Sequence, residues 1–237
     1  MTKHLSTDPT GFENFCDVYE NNPLMPFVAS ALQLTGLGAV DRLLSKRSND
    51  FAIRKINALI KELDSRINKA VASPQSDDFV AGVNMAVNSL LESNGHEKVK
   101  YFGVVLSSAW NEEKSSWDEI SQALRIIKDL EDVHFKILKW AYDLRGSKKD
   151  EPYFLLESQD RKDEKYKNIL NAFPSLDALL IESCNSDLIA KGLMNDTNFR
   201  TADSKFYQTE PDADIAFKLS NLGLWFVNKV HEMNGNV

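Results

Sequence analysis

The chain of 237 residues is 43% hydrophobic and 27% charged, with seven prolines and ten glycines, a composition that excludes fibrous, linker-rich and extensively disordered classes and can bury a proper core. A formal net charge of -7 and a pI near 5.2 repel nucleic-acid phosphate on average, so DNA or RNA could be held only by a local basic face. Cys16 and Cys184 are far apart and His4, His96, His134 and His231 are scattered, which excludes a disulfide framework and a locally spaced metal site, and fits a reducing compartment.

Residues 1–22 are polar and mixed, and read as a loose arm. Pro23 to Val40, PLMPFVASALQLTGLGAV, then carries no charge at all. It is not a secretory signal, because Asp8, Glu13, Asp17 and Glu20 precede it. It also falls short of the about 20 apolar residues a constitutive span requires. Its small residues and the following cations suit close approach to a partner or to anionic lipid. An interaction segment is therefore expected over 23–48, with Leu24, Phe27, Val28, Leu32, Leu34 and Leu37 as its apolar contacts and Arg42, Lys46 and Arg47 as its basic flank. The alternative is that Phe27, Val28, Leu32 and Leu34 pack on the protein's own core.

From 49 to 145 the pattern is helical. Ile53, Ile56, Ile60, Leu63 and Ile67 recur at steps of three and four, which makes an amphipathic stripe suited either to an intramolecular bundle or to a dimer seam. Ser73-Pro74 ends that helix. Asp77 is placed to cap the next, which bears Phe79, Val83, Val87 and Leu90 and stops near Asn94-Gly95. A third begins about Glu97, with Phe102, Val105, Leu106 and Trp110 inward. Ser116-Trp-Asp-Glu119 reads as a capping box for a fourth helix, and Asp132 to Leu144 gives a fifth. Short turns between them predict an antiparallel array.

RGSKKDEP, Arg145 to Pro152, combines Gly, Ser, charge and Pro, and reads as a domain boundary. Beyond it lie an interrupted charged tract, a helix over Leu176 to Ile189 ending in Lys191-Gly192-Leu193, turn residues, and FKLSNLG opening a last helix. That order predicts a winged-helix-like α+β domain over 146–237, with Ser220 as a helix cap and Gly223 allowing close packing. The helix that would enter a DNA groove has almost no cations, so sequence-specific DNA reading is disfavoured. Lys191 and Arg200 are the residues that would touch nucleic acid if it bound. The fold expected overall is mainly α, an N-terminal helical array followed by this small domain.

Catalytic motifs are missing. There is no phosphate-binding G-x-x-x-x-G-K-[ST], no G-x-S-x-G elbow and no H-E-x-x-H. Arg125 and His134 are too far apart for the arginine–histidine spacing of helical ribonucleases. The Glu157 to Lys165 tract offers carboxylates and lysines for a metal-dependent nuclease, but reads better as a solvated charged run. Trp110, Trp140 and Trp225 lie at helical spacing from apolar neighbours and suit packing rather than ligand stacking. No enzyme, cofactor, metal or small-molecule substrate is expected.

The segments PFV...GLGAVDRLLSKR, SDDFVAGVNMAVNSLL...EKVKYFGVVLSSAW, LRIIKDLEDVHFKILKWAY and LSNLGLWFVNKV, in this order between Pro23 and Val230, resemble the bacterial abortive-infection alpha family and its relatives. The resemblance implies a cytoplasmic protein, or one peripheral to the inner membrane, in bacteriophage defence. It carries no active-site residues. The partners it implies are a second copy of the chain, another defence-system or phage protein, or a membrane surface. A transcriptional regulator that binds DNA as a dimer is the alternative.

Overall fold

A computed structural model describes residues 22–34, 46–68, 77–93, 97–111, 116–145, 153–155, 166–196 and 216–231. The chain is mainly helical with a small β-sheet, and divides into two compact units, Met1–Leu130 and Glu131–Val237.

The first unit contains α1 (Met25–Leu34), α2 (Lys46–Arg66), α3 (Asp77–Glu92), α4 (Glu97–Asn111) and α5 (Trp117–Asp129). Asn22 starts α1, its side-chain oxygen accepting from the Leu24 amide at 2.9 Å. The stripe on α2 is buried: Ile56, Ile60, Leu63 and Ile67 join Leu59 in the core, with Ile53 half-buried. It packs against α4, where Gly103 leaves room for the Glu62 side chain. Asn111, ending α4, clasps the end of α2 by donating to the Arg66 carbonyl at 2.9 Å and accepting from the Asn68 amide at 2.7 Å. Gly82 on α3 has Trp117, Leu124 and Leu106 so close that a Cβ would lie 2.8 Å from the indole. One expected detail differs. Ser116 is the N-cap residue of α5 and its carbonyl accepts from the Glu119 and Ile120 amides, but its hydroxyl makes no capping bond.

The second unit contains α6 (Asp132–Arg145), β1 (Tyr153–Leu155), β2 (Tyr166–Asn168), α7 (Ile169–Ala172), α8 (Ala178–Ala190), β3 (Met194–Asp196), β4 (Ala216–Leu219) and α9 (Asn221–His231). The strand order is β2-β1-β4-β3. β1 and β2 run parallel with Phe154 opposite Lys167, and β4 is antiparallel to both β1 and β3, pairing Phe217 with Phe154 and with Asp196. The boundary therefore falls at Leu130–Glu131 and not at RGSKKDEP, because α6 packs on α8, α9 and β4, with Phe135 facing Phe226 at 6.5 Å.

The corner between α8 and α9 explains the KGLM and LSNLG sequences. α8 closes with the Gly192 amide donating to Ile189 and the Leu193 amide to Leu188, both at 2.9 Å, a geometry that requires Gly192 at φ 70. The Ser220 hydroxyl then donates to the Gly192 carbonyl at 2.6 Å and accepts from the Gly223 amide at 2.8 Å, so one side chain ties the end of α8 to the start of α9.

Candidate interaction surface

Asp177 sets the start of α8, accepting at its Oδ1 from the Leu179 amide at 2.8 Å and from the Leu180 amide at 3.4 Å. Ile181, Cys184, Asn185 and Leu188 follow at i, i+3, i+4 and i+7 and turn inward. That phase leaves Leu179 outward at 74% exposure, and Leu180, at the open end of the helix, 43% exposed. In the preceding turn Pro174 is exposed and Phe173 and Leu176 are half-buried. Phe173 meets the half-buried Trp140 of α6 edge to face, with centroids 5.9 Å apart. Leu179 and Leu180 thus give the start of α8 an exposed apolar ledge.

The charges on α8 itself are acidic, whereas α6, which carries Trp140, exposes Lys136 and Lys139. From Asn168 to Ala190 the charged residues are Asp177, Glu182 and Asp187, with no lysine or arginine. Asp187 is already engaged by Lys191, 3.0 Å away, and approached by His134 Nε2 at 3.2 Å without hydrogen-bond alignment. Asp177 and Glu182 are exposed beside the leucines.

Beneath α8, Cys184 and His134 lie in the same unit, yet their states oppose nucleophilic chemistry. Burial, reinforced by the Asp187 and Glu131 carboxylates, pushes the Cys184 thiol up and keeps it protonated. Burial pulls the His134 imidazole down against the opposing pull of Asp187, and the Glu131 amide donates to its Nδ1 at 3.0 Å, which needs a lone pair there. A thiolate–imidazolium pair requires the reverse of both. The Asn185 side chain is buried with neither its oxygen nor its nitrogen hydrogen-bonded. Among the described residues no group of three or more His, Cys, Asp or Glu could hold a metal ion.

The residues singled out by sequence are distributed differently from this surface. Leu24, Phe27 and Val28 are in the core of the first unit, where Phe27 meets Phe79 at 5.0 Å and Trp110 at 6.0 Å. This is the packing alternative for that segment. The side chains of Leu32, Leu34, Lys46 and Arg47, and all of Leu37, Arg42 and Arg200, lie outside the described residues. Ile56, Ile60, Leu63 and Ile67 are filled by their own unit and are not an open seam. Lys191 forms a partly exposed ion pair with Asp187 at 3.0 Å. No described helix is long and apolar enough to cross a membrane. The ledge was not singled out, although its signal was present: an Asp two residues before Leu-Leu fixes the helix phase and turns Leu179 outward.

Comparison of the chain with known protein families, with curated proteins and with solved structures returns no match.

Proposed function

We propose that this chain is a non-enzymatic regulator or effector that works by contacting another protein, and that the α8 ledge makes the contact. The observation that carries the reading is the exposure of adjacent Leu179 and Leu180 on a rigidly capped helix. Exposed large apolar side chains on a helix are what a partner covers. Release of the 23–40 segment toward a membrane fits less well. It would strip Leu24, Phe27 and Val28 from the core at about 1.5–3 kcal/mol each, besides breaking two aromatic contacts. A setting in bacterial phage defence rests on the resemblance of the ordered segments between Pro23 and Val230.

Phage plating on cells that express the intact chain or its Leu179→Ser/Leu180→Ser variant tests the reading. Protection by the intact chain that disappears in the variant, at equal amounts of folded protein, supports it. Undiminished protection removes the ledge from the function, and no protection by the intact chain removes the defence setting.

The order α8–β3–β4–α9 favours a second reading, a winged-helix DNA binder. The lack of cations on α8 and the pairing of Lys191 weigh against it, since phosphate contacts need free positive charge. A gel shift at low salt that is abolished by Lys191→Gln would favour this reading over protein contact.

A further inference from the structure

We infer that His134 is an acid-sensitive cap on α6: as a neutral imidazole it holds the amide at the start of the helix, and as an imidazolium it must let that amide go. The Glu131 carbonyl accepts from the His134 amide at 2.9 Å and from the Phe135 amide at 3.3 Å, so Glu131 is the N-cap residue and His134 the third residue of the helix. From that place the His134 Nδ1 reaches back and accepts from the Glu131 amide at 3.0 Å. The direction of the backbone N–H fixes the roles. This is the returning bond of a capping box, which Glu or Gln ordinarily supplies. An amide oxygen does not titrate and a glutamate does so only near about 4.3, whereas an imidazole accepts at Nδ1 only while that nitrogen keeps its lone pair.

The surroundings offer the protonated ring another partner. Nε2 of the buried His134 lies 3.2 Å from the Asp187 Oδ2, out of hydrogen-bond alignment. A proton on Nδ1 therefore breaks the bond to Glu131 and leaves a cation beside a carboxylate, which it approaches by turning away from the helix start. Charged and titratable groups come from every element packed there: Glu131 and Asp132 at the start of α6, Cys184 and Asp187 on α8 with Lys191 just beyond it, Lys218 on β4 and Lys229 on α9. Burial acts most strongly against the proton; Asp187 favours it, Lys191 opposes it and Glu131 favours it. The exchange of partners falls below the ordinary 6.5.

Glu131 is the first residue of the second unit, and α6 continues from it into the core through Phe135, which faces Phe226. Acid should thus loosen the entry of α6 ahead of the packing behind it. A histidine that was only a buried polar side chain would behave otherwise, since its protonation would weaken the whole unit evenly.

Nitrogen-15 NMR and amide exchange of the full chain from pH 7.5 to 5 test the inference, beside two variants. His134→Gln keeps an acceptor that does not titrate, and His134→Ala has none. In the native chain the Glu131 amide should shift with the imidazole at one midpoint below 6.5. Below that midpoint it should lose about tenfold more protection than the α9 amides lose. His134→Gln should hold the Glu131 protection across the range, and His134→Ala should lack it already at pH 7.5.

A Glu131 amide that stays in place while the imidazole titrates overturns the inference, as does an imidazole still neutral at pH 5. Loss of protection at Glu131 only in step with α9 assigns the acid response to the whole unit and overturns it as well. So does a Glu131 amide as protected in His134→Ala as in the native chain at pH 7.5. Should His134→Ala fail to fold, the native chain and His134→Gln carry the comparison between a titrating and a permanent acceptor.

Discussion

Gly223 lies so close to the Leu193 backbone that a Cβ at its position would overlap the Leu193 carbonyl oxygen, an atom that also accepts from the Ser220 amide at 3.1 Å. Nothing flexible can yield there, because the obstacle is backbone. Gly223→Ala is expected to destabilise the second unit by about 2–3 kcal/mol. Gly192→Ala meets only the Leu222 side chain at 3.9 Å and carries the penalty of φ +70 alone, about 1–2 kcal/mol. Urea unfolding of the two variants should place Gly223→Ala below Gly192→Ala, and the opposite order would contradict the close approach.

Phe27 tests where the uncharged segment belongs. Its ring meets Phe79 at 5.0 Å and Trp110 at 6.0 Å, and those two meet each other at 5.6 Å, all edge to face. Phe27→Ala is expected to cost the first unit about 3–5 kcal/mol and to shift the emission of Trp110. A loss below about 1 kcal/mol would mean that α1 is not part of that core.

The helices α2 to α5 were legible because their apolar residues repeat at three and four, whereas the uncharged stretch that contains α1 shows no such period. Ile56, Ile60, Leu63 and Ile67 are buried as that period requires, though the period alone does not say whether a neighbouring helix or a second chain buries them. The Ser220–Gly223 corner was legible for a local reason, since cap and glycine sit three residues apart. What escaped depends on distant parts of the chain. β1 and β2 are three residues each and pair across a charged tract, so no alternation marks them. The linker chemistry at RGSKKDEP marks a break in the chain, but not which core α6 joins. The ledge escaped because leucine is ordinarily assigned to a core, and its exposure follows only from the phase fixed by Asp177.

Two buried lysines were equally invisible. Lys55 on α2 donates to the Leu90 carbonyl at 2.6 Å, and Lys98 on α4 donates to the Lys128 carbonyl at 2.9 Å. Each thus caps the C-terminal turn of another helix, where carbonyls lack helical partners. Burial and then the charge of Lys98 lower the Lys55 ammonium from its ordinary 10.5. Lys98→Met removes the second cause and keeps the first, so Lys55 should titrate higher than in the native chain and still below 10.5. Nitrogen-15 NMR of the lysine side chains follows this directly. The variant also deprives the Lys128 carbonyl of that donor, a loss of about 1–3 kcal/mol.

His134 gives the second unit a dependence on pH whose sign is fixed by its surroundings. Burial lowers its imidazole below the ordinary 6.5, with Lys191 acting the same way and the Asp187 and Glu131 carboxylates opposing. The unfolded chain therefore binds the proton more readily than the folded one, and stability rises with pH between the folded and unfolded values. Above 6.5 the imidazole is neutral in both states and no penalty applies; as pH falls through 6.5 the penalty grows, and it levels off below the folded value. His134→Gln removes this titration and keeps a polar side chain of similar length. Hydrogen exchange of α6 and α8 peptides from pH 7.5 to 5 should show protection falling more steeply in the native chain than in the variant. A steeper fall in the variant would mean that the Asp187 carboxylate, and not burial, governs the histidine.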